Sequence, residues 1–311
     1  MLPLDSQKAP NMRPSSRTSQ LRFGFGGVAF ELLVDATVSF ALPPAYERHM
    51  VAPAHAPTLA DVVCCVRLDR GLVPPPFEAE MQHGVLWEPG PECLHVRAHE
   101  ISLAIRRTSS RHFAITAHIA SSAALPRLLL LLATTVIELA GGASLHATAV
   151  EHEGRAVLLL GPSGAGKTTA AQLLGDVTCL ANDRVNVVLS RQKDDAPALW
   201  VWALPGGSPP TLPRSAHVAL PLSAMLRIKQ AQVPRVSALR SAEAVLFVRE
   251  AIEVSVNSEH HEAQRLAAAS ELAMTAASGM AHVALAQSWR ADLEGFLADT
   301  ARNAQRVHGE V

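Results

Sequence analysis

One octapeptide, GPSGAGKT from Gly161 to Thr168, constrains this chain more than any other stretch. It satisfies G-x-x-x-x-G-K-[ST] at every fixed position and lies between an apolar run, RAVLLL, and a helical run, TTAAQLL. A loop that wraps a phosphate must aim backbone N–H groups inward, and glycines at 161, 164 and 166 let it do so without Cβ clashes. Lys167 is then placed to reach the β- and γ-phosphates, and the Thr168 hydroxyl to hold Mg²⁺. The predicted nucleotide site is Gly161, Pro162, Ser163, Gly164, Ala165, Gly166, Lys167, Thr168 and Thr169, with ATP and Mg²⁺ as ligands. A buried strand feeding such a loop and then a helix requires an α/β core.

The rest of the chain narrows the class. A length of 311 residues allows one large domain or two modest ones. A formal charge of −1 supplies no general attraction to nucleic acid or an anionic membrane. Cys64, Cys65, Cys93 and Cys179 include no C-x-x-C pair, so they are read as buried reduced thiols of a cytoplasmic protein. The apolar stretch Leu128 to Ala140 contains Glu138 and falls short of the roughly twenty residues of a membrane span, so it is expected to be a buried helix.

Three segments are expected. Residues 1–20, rich in Pro, Ser and charge, read as a disordered lead-in. Residues 21–115 read as a strand-rich N-terminal module, because FGGVAFELLVD, DVVCCVRL and CLHVRAHEISLAIRR alternate or run apolar between turn signals. Residues 116–311 hold the loop: a helix over Leu125–Leu139 stopped by Gly141-Gly142, two strands around the turn EHEGR, then VTCLANDRVNVVL as a strand or strand pair. Beyond these come the strand LWVWAL, a Pro/Gly-rich loop PGGSPPTLPR, a strand through ALPLSAMLRIKQ, two helices, a late strand and a closing helix. His260-His261 and Asp194-Asp195 read as surface and turn residues.

Neither LSGGQ nor NKxD occurs, which weakens the transporter-ATPase and guanine-reading classes. Three motifs in order, LHATAV with His146, GPSGAGKT, and NDRV with Asn182 and Asp183, are similar to the C-terminal catalytic domain of the HPr kinase/phosphorylase family. They most resemble the HPr-kinase-related peptide serine kinases of the lasso-peptide type. The resemblance covers about Ala143 to Gln230 and implies an α/β fold with a P-loop core of HPr-kinase type beside the smaller strand-rich module. It implies a Mg-ATP-dependent kinase acting on a serine of a peptide or small protein, with homo-oligomers found in the family. By the same resemblance His146 lies near the donor phosphates and acceptor, Asp183 holds the metal, and Asn182 stands where the family has the carboxylate facing the acceptor hydroxyl.

That asparagine is a departure. An amide takes no proton at neutral pH, and a general base typically contributes about 10²–10⁴-fold. Yet phosphoryl transfer runs through a loose transition state that needs little early deprotonation, so Asn182 is able to orient a hydroxyl while His146 or Asp183 takes the proton. Two readings therefore stand: a kinase, or an ATP-binding regulatory protein of a peptide-modification system with weak or no transfer. His146 also reads as a strand residue beside the core, Asp183 as a turn cap, and Arg214 as either a solvated side chain or a grip on phosphate or an acidic acceptor segment.

Overall fold

A computed structural model describes residues 18–38, 41–51, 57–69, 71–72, 85–89, 93–190, 198–205, 212–253, 259–284 and 288–309. Asp194-Asp195 and most of the Pro/Gly-rich loop, residues 206–211, lie outside the described residues, as do the side chains of His260 and His261. The chain is mixed α/β, and its described residues form two seven-stranded sheets.

The first sheet begins at a double-glycine turn. β1 (Thr18–Phe25) and β2 (Val28–Asp35) form a hairpin across Gly26-Gly27, and the alternation read in VAFELLVD appears as alternate burial along β2. β1 includes residues 18–20, which the sequence reading placed in a disordered lead-in; they pair with Leu33, Val34 and Asp35. A four-residue helix, α1 (Pro44–Glu47), leads toward β3 (Ala60–Leu68). β4 (Val85–Pro89), β5 (Leu94–Ala98), β6 (Ile101–Arg107) and β7 (His112–Ile119) follow, and the spatial order is β1-β2-β3-β7-β6-β5-β4. β7 runs across residue 115, so this sheet extends to Ile119. Cys64 is buried and Cys65 half-buried, as opposite faces of one strand require; Cys93 is also only half-buried, against the expectation of uniformly buried thiols.

α2 (Leu125–Leu139) forms where LPRLLLLLATTVIEL placed it, with Pro126 in its first turn, where a missing N–H costs nothing. Its last carbonyls accept from Gly141 and Gly142. With the preceding short turn it makes the one stretch among the described residues, Ser122–Leu139, that is long and apolar enough to cross a membrane, longer than the thirteen residues the sequence suggested. Most of it is buried: Leu125, Leu128, Leu129, Leu132, Val136 and Ile137 join the core of the first sheet.

The second sheet comprises β8 (Ala143–His152), β9 (Arg155–Leu160), β10 (Thr178–Ser190), β11 (Ala198–Ala203), β12 (Ala219–Gln230), β13 (Arg235–Ala238) and β14 (Ala277–Val283). Its order is β11-β10-β8-β9-β12-β14-β13, and β11 also pairs with the start of β12, which closes β10, β8, β9, β12 and β11 into a ring. β9 lies at the centre and every residue after Arg155 is buried, because helices cover both faces. One face packs α4 (Ser241–Ala251) and α5 (Glu259–Thr275) through Phe247, Val248, Ala269 and Leu272. The other packs α3 (Lys167–Gln172) and α6 (Arg290–Gly309) through Ala170, Ala171, Leu293 and Phe296. Trp289 pins these two helices, its indole N–H donating 2.9 Å to the Ala170 carbonyl.

The sheets share a core. Val188, Trp202, Leu204, Val218 and Ala219 of the second half pack with the buried residues of β1–β7 and α2. Asn186 donates 2.6 Å to the Gly26 carbonyl, and Trp202 donates 3.0 Å to the Pro57 carbonyl.

Candidate functional site

The loop 161–168 leaves the C-terminal end of β9 and enters α3, which has only six residues. Gly164 and Gly166 hold φ of 79° and 90°, and a Cβ at Gly164 would meet nothing within 4 Å. The loop is therefore bent by glycine backbone and open on its outer side, a shape that side-chain-free residues alone permit. The Lys167 side chain is buried and folds back, donating 2.8 Å to the Gly161 carbonyl and 3.3 Å to that of Pro162. Burial holds its ammonium below the ordinary lysine pKa, opposed by the charge of Asp183.

β10 supplies the other half of the site through its register with β8. Asn182 stands opposite Thr148, Asp183 opposite Ala147 and Arg184 opposite His146. Directly opposed residues share a face, so Thr148, His146, Asn182 and Arg184 line one side of the sheet. Asn182 Oδ1 accepts from the Thr148 hydroxyl at 2.9 Å and from the Thr168 hydroxyl at 3.3 Å. Asp183 has φ of 99°, a left-handed conformation that is uncommon for a residue with a side chain. Its carboxylate Oδ1 lies 3.1 Å from His146 Nδ1. Glu253, just past α4, lies 3.8 Å from the same nitrogen and also pairs with Arg184. His146 and Asp183 are 35% and 45% exposed, so the pair is reachable from solvent.

The structure thus brings His146, Lys167, Thr168, Asn182 and Asp183 to one mouth at the end of β9. The two neighbours on β10 have different partners. The amide meets the hydroxyl assigned to metal, and the carboxylate meets the histidine. Sequence reasoning missed Thr148, Arg184 and Glu253. The first two lie within the quoted motifs LHATAV and NDRV, where strand alternation placed them on the site face; Glu253 carried no signal because it arrives from a distant helix end.

A cavity of about 200 Å³ opens beside His146, lined also by Gly161, Pro162, Arg227, Phe247 and Glu250. A larger one of about 720 Å³ lies at the far end of β9 near Arg155 and Glu294, and it includes none of the residues singled out from the sequence. Among the described residues no group of three or more His, Cys, Asp or Glu side chains is arranged to hold a metal ion by itself. Mg²⁺ in nucleotide sites typically takes one or two side chains, with phosphates and water filling the rest, and the paired oxygens of Thr168 and Asn182 fit that use.

No curated protein matches the chain. Among solved structures, the Hpr(Ser) kinase/phosphatase from Coxiella burnetii aligns over 54% of this chain and 95% of its own at 8% identity, with a TM-score of 0.29, too low to carry an argument. A family model described as SynChlorMet cassette protein ScmC matches residues 124–301, more than half of the 311 residues and the whole of the site. The chain belongs to the ScmC family of SynChlorMet cassette proteins.

Proposed function

We propose that this protein is a Mg-ATP-dependent kinase that transfers a phosphoryl group to a serine of a peptide or small protein. The observation that carries the reading is the 3.1 Å contact between His146 and Asp183 at the mouth of the glycine-rich loop, with Thr168 and Asn182 beside it. The order of the three motifs in the sequence supports it independently, and the family's description as cassette proteins suggests an acceptor made by the same cassette.

Mg-ATP, when bound, supplies the transferable γ-phosphoryl group. Lys167, whose ammonium now rests on two loop carbonyls and is disfavoured by burial, would hold the donor phosphates, since a buried ammonium gains from an anion. Thr168 and Asn182 offer two neutral oxygens to the metal. Asp183 would accept the proton of the acceptor hydroxyl at its carboxylate, with ADP as the leaving group. His146 holds that carboxylate in place, and Glu253 holds His146 and Arg184. In this reading Asn182 need take no proton, because Asp183, one residue further along the strand with a left-handed backbone, serves as the acceptor. The cavity beside His146 is too small for a nucleotide and suits one acceptor side chain.

The test is transfer of labelled γ-phosphate to peptides encoded with the protein, at saturating Mg-ATP. Transfer to serine is expected. ATP binding without any labelled peptide would replace this reading with a regulatory ATP-binding protein, the second reading that Asn182 keeps open.

A further inference from the structure

Two arginines from opposite halves of the chain, Arg48 and Arg214, converge on the segment at Ser215. Arg48, just past α1, is half-buried and donates 3.3 Å to the Ser215 carbonyl. Arg214 precedes that serine and bridges in parallel to Cys179 at the start of β10. Neither guanidinium is paired with an acidic group among the described residues. The nearby Glu151 is already engaged: it accepts from Ser215 at 2.6 Å and Thr178 at 3.0 Å, and lies 3.2 Å from His217.

The like charges are felt by everything around them. Burial, and then Arg214, hold Arg48 below its ordinary pKa. His49 is driven down to about 4 by burial, by Arg48 and by Arg214, against a backbone hydrogen bond with Ala203, and its Nδ1 has no partner among the described residues. Burial pushes the Cys179 thiol up to about 11, while both arginines pull it back. A concentration of positive charge this unrelieved is a standing electrostatic cost that an oxyanion would remove.

Its position points to the acceptor. Cys179 opposes Val150, and Asn182 opposes Thr148 two residues away on β8. The register slips at Leu180, and this bulge keeps Cys179 on the same face as Asn182 despite their odd spacing. Arg184, on the same strand, is already paired with Glu253, which leaves Arg48 and Arg214 as the guanidiniums on this side without an acidic partner among the described residues. The run of β10 between Cys179 and Asp183 corresponds to roughly 10–13 Å of extended chain, or about three to four residues.

We propose that Arg48 and Arg214 together grip a carboxylate of the acceptor peptide, an acidic side chain about three to four residues from the serine. This rests on the kinase reading for the identity of the ligand but not for its chemistry. Guanidinium forks match a carboxylate with two parallel hydrogen bonds, and one fork from each half of the chain makes the grip depend on the docked arrangement of both.

The test is fluorescence anisotropy of a labelled serine peptide carrying glutamates at those positions, against its glutamine counterpart, on the full chain without nucleotide. The glutamate peptide is expected to bind about tenfold tighter, and Arg48→Gln or Arg214→Gln each to erase most of that preference. Arg97→Gln, which removes the same charge from the first sheet, should leave it unchanged. Arg214 is exposed, so its variant remains informative even where Arg48→Gln fails to fold. Equal binding of the two peptides, or a preference that survives the double substitution, overturns the proposal. Displacement of the glutamate peptide by inorganic phosphate at equal concentration overturns it too, in favour of a free-phosphate site. Calorimetry with ATP on the same protein separates the two readings: absence of heat would sink the nucleotide site and leave the anisotropy contrast standing.

Discussion

Asp183 is the residue on which the proposed transfer turns. It combines a left-handed backbone with a 3.1 Å contact to His146. Asp183→Asn is expected to lower peptide phosphorylation by about 10²–10⁴-fold with nucleotide affinity little changed, measured as single-turnover transfer beside an ATP titration. Asn182→Asp tests the neighbouring position. Both hydroxyl hydrogen bonds to Oδ1 survive in a carboxylate, and the added charge faces Thr168, so half-saturating Mg²⁺ should fall roughly tenfold and turnover rise. An unchanged Mg²⁺ dependence would mean that this oxygen does not see the metal. The sequence exposed both residues as candidates because NDRV closes an apolar run. Which of the pair takes which partner was illegible, since it depends on a positive φ and a bulge that no propensity encodes.

At the scale of elements, β10 carries the argument. Asn182 reaches Thr168, Arg184 reaches Glu253, Asn186 reaches Gly26, and Val188 enters the core of the first sheet. The β1–β2 turn is the matching surface. Gly27 holds φ of +86°, and a Cβ there would come 2.8 Å from Val188 Cγ1. Gly27→Val is therefore expected to destabilise the protein by about 2 kcal/mol or more, through backbone strain and overpacking together, read as a lowered denaturation midpoint. Individual elements were largely legible: α2 from its Pro and Gly punctuation, β9 from an unbroken apolar run, β2 from alternation. What the sequence concealed was pairing. The double glycine in FGGVAF reads as a turn, but nothing local says that the turn lands on a strand some 160 residues later, because long-range contact depends on the partner surface.

For the whole molecule, the shared core predicts joint unfolding. Trp202 and Val188 are buried among residues of the first sheet, so calorimetry should show one transition with equal van't Hoff and calorimetric enthalpies. Two resolved transitions would refute this coupling. Acid should weaken the junction in particular. The folded His49 pKa of about 4 lies below the ordinary 6.5, so the unfolded chain binds the proton more readily. The contribution, about 3 kcal/mol, is fully present above pH 6.5 and is lost as the pH falls toward 4. His49→Phe should flatten the pH dependence of stability across that window.

β10 works as a single reading frame for two tasks. Delete one codon between Asn182 and Asn186 and every later side chain changes sides, so that Val187 stands where Asn186 met the Gly26 carbonyl and that hydrogen bond is lost. Chemistry and assembly would fail in the same stroke, and neither could be rescued alone. Natural variation in length within this lineage should therefore accumulate in the segments flanking Thr178–Ser190 and spare the strand itself.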